Sequence, residues 1–262
     1  MTKSFHERHV VVTGGGGGLG GAIADAFAAE GAVLTLMGRT HETVQARASA
    51  LQQTFGIRAQ AATCDVTDAA SVARAFETAV RALGPVHVLV NNAGHATASM
   101  FQDTTLAEWQ LAIDVNLTGT FLCIQRVLPA MLSAGDGRIV NIASTAGLRG
   151  YTRVSAYCAA KHGVVGLTRA LAAETSRTGI TVNAVCPGYI EGTPMLRSAI
   201  ANVVRATGKS EDEARAILAK PSPDGRFISM DDVVAKVLWL CSDDAFATTG
   251  QAVTVGSGEA LS

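Results

Sequence analysis

Residues 9–20 read His9-Val10-Val11-Val12-Thr13-Gly14-Gly15-Gly16-Gly17-Gly18-Leu19-Gly20. A β-branched run ends in five consecutive glycines. Leu19, Ala22, Ile23, Ala26 and Phe27 then recur at helical spacing. Strand, glycine turn and amphipathic helix in this order make a phosphate-binding unit. Glycine permits the tight turn, lets backbone amides approach a phosphate and lets the helix pack close to the strand. The run satisfies two spacings, Gly15-x-Gly17-x-x-Gly20 and Gly14-x-x-x-Gly18-x-Gly20.

The same alternation continues outward. Residues 32–37, 57–63, 86–90, 138–143, 180–185 and 251–255 read as further strands. Helical patterns cover 41–55, 69–83, 105–134, 154–177 and 231–241. Thr105 with Glu108 gives the 105–134 helix a capping box. About seven short apolar strands alternating with helices predict an α/β fold. It is a doubly wound, Rossmann-type parallel sheet with helices on both faces. The expectation is one domain over 1–262, with a lid insertion at about 189–229. Ser210 and Glu213 predict a helix inside that lid.

Composition narrows the function. The chain has 262 residues, 48% hydrophobic and 16% charged, and a formal net charge of −1. That balance suits a folded core and argues against a nucleic-acid partner. The uncharged stretch 82–102 carries Pro85, His87, Asn91, Asn92, His95 and Gln102, so no membrane span is expected there. The N-terminus has no signal-peptide pattern. Five scattered cysteines without metal-ligand spacing suggest reduced thiols, no metal site and a cytoplasmic location.

In an open parallel sheet, ligands bind outside the carboxyl ends of the strands. After the first strand come Gly14, Gly18, Leu19 and Gly20; after the fourth, Asn91, Asn92, Ala93 and Gly94. Ser144 follows the fifth, and Pro187 and Gly188 follow the sixth. The second strand ends in Gly38-Arg39 with no carboxylate before Glu42. An acidic residue there would suit the ribose hydroxyl of NAD, whereas Arg39 suits a 2′-phosphate. This favours NADP(H) over NAD(H). Tyr157 and Lys161 lie four apart, on one helix face. An ammonium beside a phenol lowers its pKa, which makes the pair a candidate general acid/base.

Together these residues resemble the short-chain dehydrogenase/reductase family over about residues 8–258. The resemblance rests on Gly14-x-x-x-Gly18-x-Gly20, Cys64-Asp65-Val66, Asn91-Asn92-Ala93-Gly94, Asp114-Val115-Asn116, Ser144, Tyr157-x-x-x-Lys161 and Pro187-Gly188. It implies Tyr157 as general acid/base, Ser144 on the substrate oxygen, Lys161 on the nicotinamide ribose and Asn116 on a relay water. It also implies Asp65 and Val66 at adenine, and Pro187, Gly188, Ile190 and Thr193 near nicotinamide. His95 and Tyr189 are candidate substrate contacts. Three places depart from the family pattern. Gly192 stands where a Thr is usual, with Thr193 after it. Gly256-Ser257-Gly258 replaces Asp-Gly-Gly. Gly17 stands where NADP forms often carry a base.

The function expected is an NADP(H)-dependent oxidoreductase. It would interconvert a small-molecule ketone or 3-oxoacyl thioester with the secondary alcohol. The alternatives are an NAD-dependent catabolic alcohol or 3-hydroxyacyl dehydrogenase, and a non-enzymatic nucleotide sensor or scaffold. The resemblance also implies a homotetramer built on helices 105–134 and 154–177.

Overall fold

A computed structural model describes residues 4–220, 222 and 224–256. Its strands are β1 (His9–Thr13), β2 (Val33–Gly38), β3 (Ala59–Thr63), β4 (Val88–Asn91), β5 (Gly137–Ile142), β6 (Ile180–Pro187) and β7 (Ala252–Val255). All pair in parallel in one sheet of order β3-β2-β1-β4-β5-β6-β7. The chain leaves β3 at one edge and re-enters beside β1 as β4. The ends of β1 and β4 therefore border the crevice where strand order reverses.

Alternate strand residues feed two core layers. Val10, Val12, Leu34, Leu36, Val88 and Val90 meet Ile23 and Phe27 of α1 (Gly18–Ala29), and helices α2 (His41–Phe55) and α9 (Met230–Cys241) close that layer. Val11, Leu89, Ile139 and Val182 face the other way. There they pack on Val72 and Phe76 of α3 (Ala69–Leu83) and on Cys123 and Val127 of α5 (Gly119–Ala134). Burial on both faces explains the near-continuous apolar strands.

The structure corrects the 105–134 helix. It is α4 (Leu106–Ile113), a π-helical turn at Asp114–Thr118, and then α5. Asn116, inside this turn, ties it both to its own helix and to the loop before α4. Its Nδ2 donates to Ala112 O at 2.8 Å and to His95 O at 2.7 Å, and Thr120 Oγ1 donates to Asn116 O at 2.8 Å. Side chains that insert into the helical ladder widen it. The Thr105–Glu108 capping box is present. The Leu106–Ala134 run has the length and hydropathy of a membrane span, but Cys123, Val127 and Met131 are buried against the sheet.

Most helix and strand limits shift by one to three residues. β4 runs through Asn91 and β6 through Pro187, while the 154–177 helix is α6 (Ser155–Glu174). The lid holds two helices, not one: α7 (Pro194–Thr207) and α8 (Glu211–Ala219). The Ser210–Glu213 capping box opens α8 as expected. The α7 signal was readable but unused: Thr193 caps, Pro194 sits in the first turn, and Gly208 closes at φ 70°. All five cysteines are free and buried. Of the Gly256-Ser257-Gly258 departure, Ser257 and Gly258 lie outside the described residues.

Candidate active site

The glycine turn is built by exclusion. Gly14 and Gly18 adopt φ +66° and +55°, where L side chains are strained. A Cβ at Gly20 would stand 2.2 Å from Gly14 O and 2.5 Å from Asn92 Nδ2. Only glycine lets α1 begin so close to the turn. Gly17 and Gly18 face open space, with nothing within 4 Å of a built Cβ. The α1 N-cap, Gly17, offers no capping side chain, so the first helical amides are open to a ligand oxygen. Asn92 Nδ2 donates to Thr13 O (3.0 Å) and Gly14 O (3.3 Å), and Thr13 Oγ1 accepts from the amides of Asn92 and Ala93 (3.0 Å each). This locks the ends of β1 and β4 around the turn. The cradle fits the diphosphate of a dinucleotide.

Arg39 is exposed at the end of β2. Asp65, past β3, accepts from Thr67 N (2.9 Å) and Thr67 Oγ1 (2.7 Å). These two bonds hold its carboxyl below the usual value, and the charge of Arg39 adds to the effect. Arg39 and Asp65 therefore share one rim, with Val66 buried behind it.

Across the crevice, Asn116 is committed to the backbone of His95. Its Oδ1 accepts from His95 N at 3.2 Å while its Nδ2 serves His95 O. The amide pair pins the β4–α4 loop, leaving His95 half-buried. A Cβ on Gly94 would stand 3.2 Å from Asn116 Oδ1 and 3.8 Å from Lys161 Nζ, so Gly94 lets these groups approach.

Ser144 ends the β5 segment. Its Oγ accepts from Ala146 N at 3.1 Å, lies 3.5 Å from Pro187 O, and is hydrogen-bonded to the Tyr157 phenol. Tyr157 and Lys161, both on α6, are 8% and 4% exposed. Lys161 Nζ donates to Ile142 O at 2.7 Å and lies 5.6 Å from the centre of the Tyr157 ring. The structure corrects the expected depression of the phenol. Burial pushes Tyr157 up to about 12 and Lys161 down to about 8. The ammonium is turned to a carbonyl and the ring face, so desolvation outweighs its pull on the phenol.

Gly188 N donates to Val255 O at 2.9 Å, fixing the turn after β6. Tyr189 lies near enough to raise the Tyr157 pKa slightly, and its ring meets Phe227 edge-on at 6.3 Å. Ile190 is buried. The Thr193 hydroxyl donates to Ile190 O (2.8 Å) and accepts from Leu196 N (3.2 Å), so capping α7 already uses it. His162 points elsewhere: it is exposed, with Nδ1 at Cys158 O. Among the described residues no His, Cys, Asp or Glu group is arranged to hold a metal ion.

Two participants were not read from the sequence. Thr13 bridges β1 to β4, and its place before the glycine run was a usable signal. Tyr151 gave none. Its hydroxyl donates to Thr145 Oγ1 at 2.9 Å, and its ring packs against the group formed by Ala146, Tyr157 and Cys158.

A Ser–Tyr–Lys set with a buried Tyr and Lys thus lies with an open phosphate cradle at the carboxyl edge of one sheet. It can hold a carbonyl oxygen by two hydroxyls next to a bound dinucleotide. The family model for short chain dehydrogenases matches residues 8–203. The chain is 38% identical over 258 residues to 2-(S)-hydroxypropyl-CoM dehydrogenase 3 of Xanthobacter autotrophicus, covering 98% of each. An actinorhodin polyketide ketoreductase variant with NADPH superposes with TM-score 0.92 at 38% identity, covering 97% of this chain and 98% of that one. NAD+-bound xylitol dehydrogenase superposes with TM-score 0.93 at 27% identity, covering 98% and 100%. The chain therefore belongs to the short-chain dehydrogenase family and is an NAD(P)-dependent oxidoreductase that interconverts CH–OH and C=O groups.

Proposed function

We propose that the chain reduces a ketone or 3-oxoacyl group with NADP(H), which it favours over NAD(H). The observation that carries this reading is the Ser144–Tyr157–Lys161 set. Tyr157 and Lys161 are buried and Ser144 half-buried, and the phenol is kept protonated well above neutral pH.

The residues divide the work as follows. Gly14, Gly18, Leu19 and Gly20 would hold the diphosphate, and Arg39 the 2′-phosphate. Asp65 and Val66 would flank adenine. Asn92, Ala93, Gly94, Pro187, Gly188, Ile190 and Thr193 would border the nicotinamide half. The bound cofactor supplies the hydride. Tyr157 gives its proton to the substrate oxygen, and Ser144 donates a hydrogen bond to the same atom. The Lys161 ammonium offsets the phenolate left behind. Asn116 holds the His95 loop against α4 and would border the water that returns a proton. His95 and Tyr189 would meet the substrate. The reverse sequence oxidises the alcohol.

Arg39 supports NADP(H): it is exposed at the end of β2, where no carboxylate stands to grip a ribose hydroxyl. The NADPH in the actinorhodin ketoreductase structure agrees, while the NAD+ in xylitol dehydrogenase keeps NAD as the second reading. Arg39→Asp is expected to lower the ratio of kcat/KM for NADPH to that for NADH by about tenfold or more. An unchanged ratio in steady-state assays with both coenzymes rules out the 2′-phosphate assignment.

The same reading makes 189–229 a lid on one catalytic domain, and the enzyme cytoplasmic. It also makes it a homotetramer. Exposed Leu111, Phe121 and Leu132 on α4 and α5 support a subunit interface there.

A further inference from the structure

We propose that the lid carries a second recognition site, built on Arg215 and Arg226, for an anionic group of the substrate remote from the reacting carbonyl. This rests on the reductase reading above. A cavity of about 400 Å³ lies in the lid, lined by Glu191, Arg215, Ala219, Gly225, Arg226 and Phe227. That size takes a small-molecule fragment. Its lining holds two guanidiniums against one carboxylate. Arginine's planar fork suits a phosphate or carboxylate.

An aromatic wall connects this cavity to the chemistry. The Arg215 guanidinium lies over the Phe227 ring at 5.1 Å, and Phe227 meets Tyr189 edge-on at 6.3 Å, in the segment that follows Pro187 and Gly188. On this proposal a substrate held at Tyr157 extends along these rings toward Arg215. The wall is held at its root. Ile190 and Ile228 form a parallel bridge, with Glu191 N donating to Ile228 O at 2.8 Å and Ile228 N to Tyr189 O at 3.0 Å. Glu191 also accepts from Arg215 Nη2 at 2.6 Å. This half-exposed pair keeps the guanidinium aimed while leaving its other donors available. Among the lid's acids, Glu213 is engaged by Lys209 and Ser210, and Asp224 accepts from Ser222 Oγ and Arg226 N.

The test uses pairs of probes that share a carbonyl and differ in charge. One pair is acetoacetyl-CoA and the acetoacetyl thioester of N-acetylcysteamine, which lacks phosphates. The other is acetylbutyrate and its methyl ester. The readout is the kcat/KM ratio of charged to neutral probe in each pair. Arg215→Gln is expected to lower at least one ratio by about tenfold. Arg226→Gln lowers the same ratio less, and Glu191→Gln raises it by removing the competing carboxylate. A drop confined to the first pair assigns a phosphate, and one confined to the second a carboxylate. Turnover of the neutral probe reports a folded variant. Both ratios staying within about twofold in Arg215→Gln overturns the site, as does an equal loss on charged and neutral probes. Wild-type protein that reduces no probe overturns the reductase reading, and this site with it.

Discussion

Tyr157→Phe lowers turnover by about a thousandfold while coenzyme still binds. The substitution removes one oxygen and leaves the ring packed against Ala146 and Cys158. On the proposed reading the phenol, hydrogen-bonded to Ser144, is the proton source. Burial lifts it to about 12, so at neutral pH it is fully protonated and suited to give a proton to a ketone oxygen. Initial rates with NADPH and a ketone, with coenzyme binding followed by fluorescence, check both halves of the expectation. Retained turnover removes Tyr157 from the chemistry. A nucleotide sensor or scaffold would keep its biological activity in this variant.

Lys161→Met lowers reduction by about a hundredfold and removes its alkaline limb. Burial depresses Lys161 to about 8, so the ammonium is present below that pH and is lost as pH rises through it. On the proposed mechanism reduction leaves a phenolate on Tyr157, which the ammonium would stabilise. In wild-type protein kcat/KM for ketone reduction is therefore flat below about pH 8 and falls above it. In the variant it is low and level across the range. Methionine also relieves the burial of a charge, and the folded state no longer opposes protonation of this residue. The variant is expected to melt no lower than wild type. A pH–rate profile that keeps its limb without Lys161 assigns the limb to another group.

The crevice was legible because its cues are local. Each strand of the sheet's middle is followed at once by its chemistry: Gly14 after β1, Asn92 after β4, Ser144 after β5 and Gly188 after β6. Burial of β1 and β4 on both faces was equally plain in their apolar runs. The π-helical turn was hidden because the contact that ties it spans 21 positions, Asn116 on the His95 backbone. The sign of the Tyr157 shift was hidden for a related reason. Spacing showed that Lys161 would be near, but not that Ile142 O would accept its hydrogen bond or that both side chains would lose water. Tyr151 reaches the site through Thr145 and the fold of a loop, which no spacing rule encodes. Helix α7 was a missed reading, since Thr193-Pro194 and Gly208 marked both ends.

The chemistry assigned to this site is hydride exchange between a nicotinamide and a carbonyl. NADPH deuterated at the transferable position of its nicotinamide, incubated with the protein and a ketone, tests it by mass spectrometry of the product. The expected product is an alcohol with one deuterium on the carbinol carbon, formed in step with oxidised coenzyme. Coenzyme oxidation that leaves the ketone unlabelled and unreduced would contradict it.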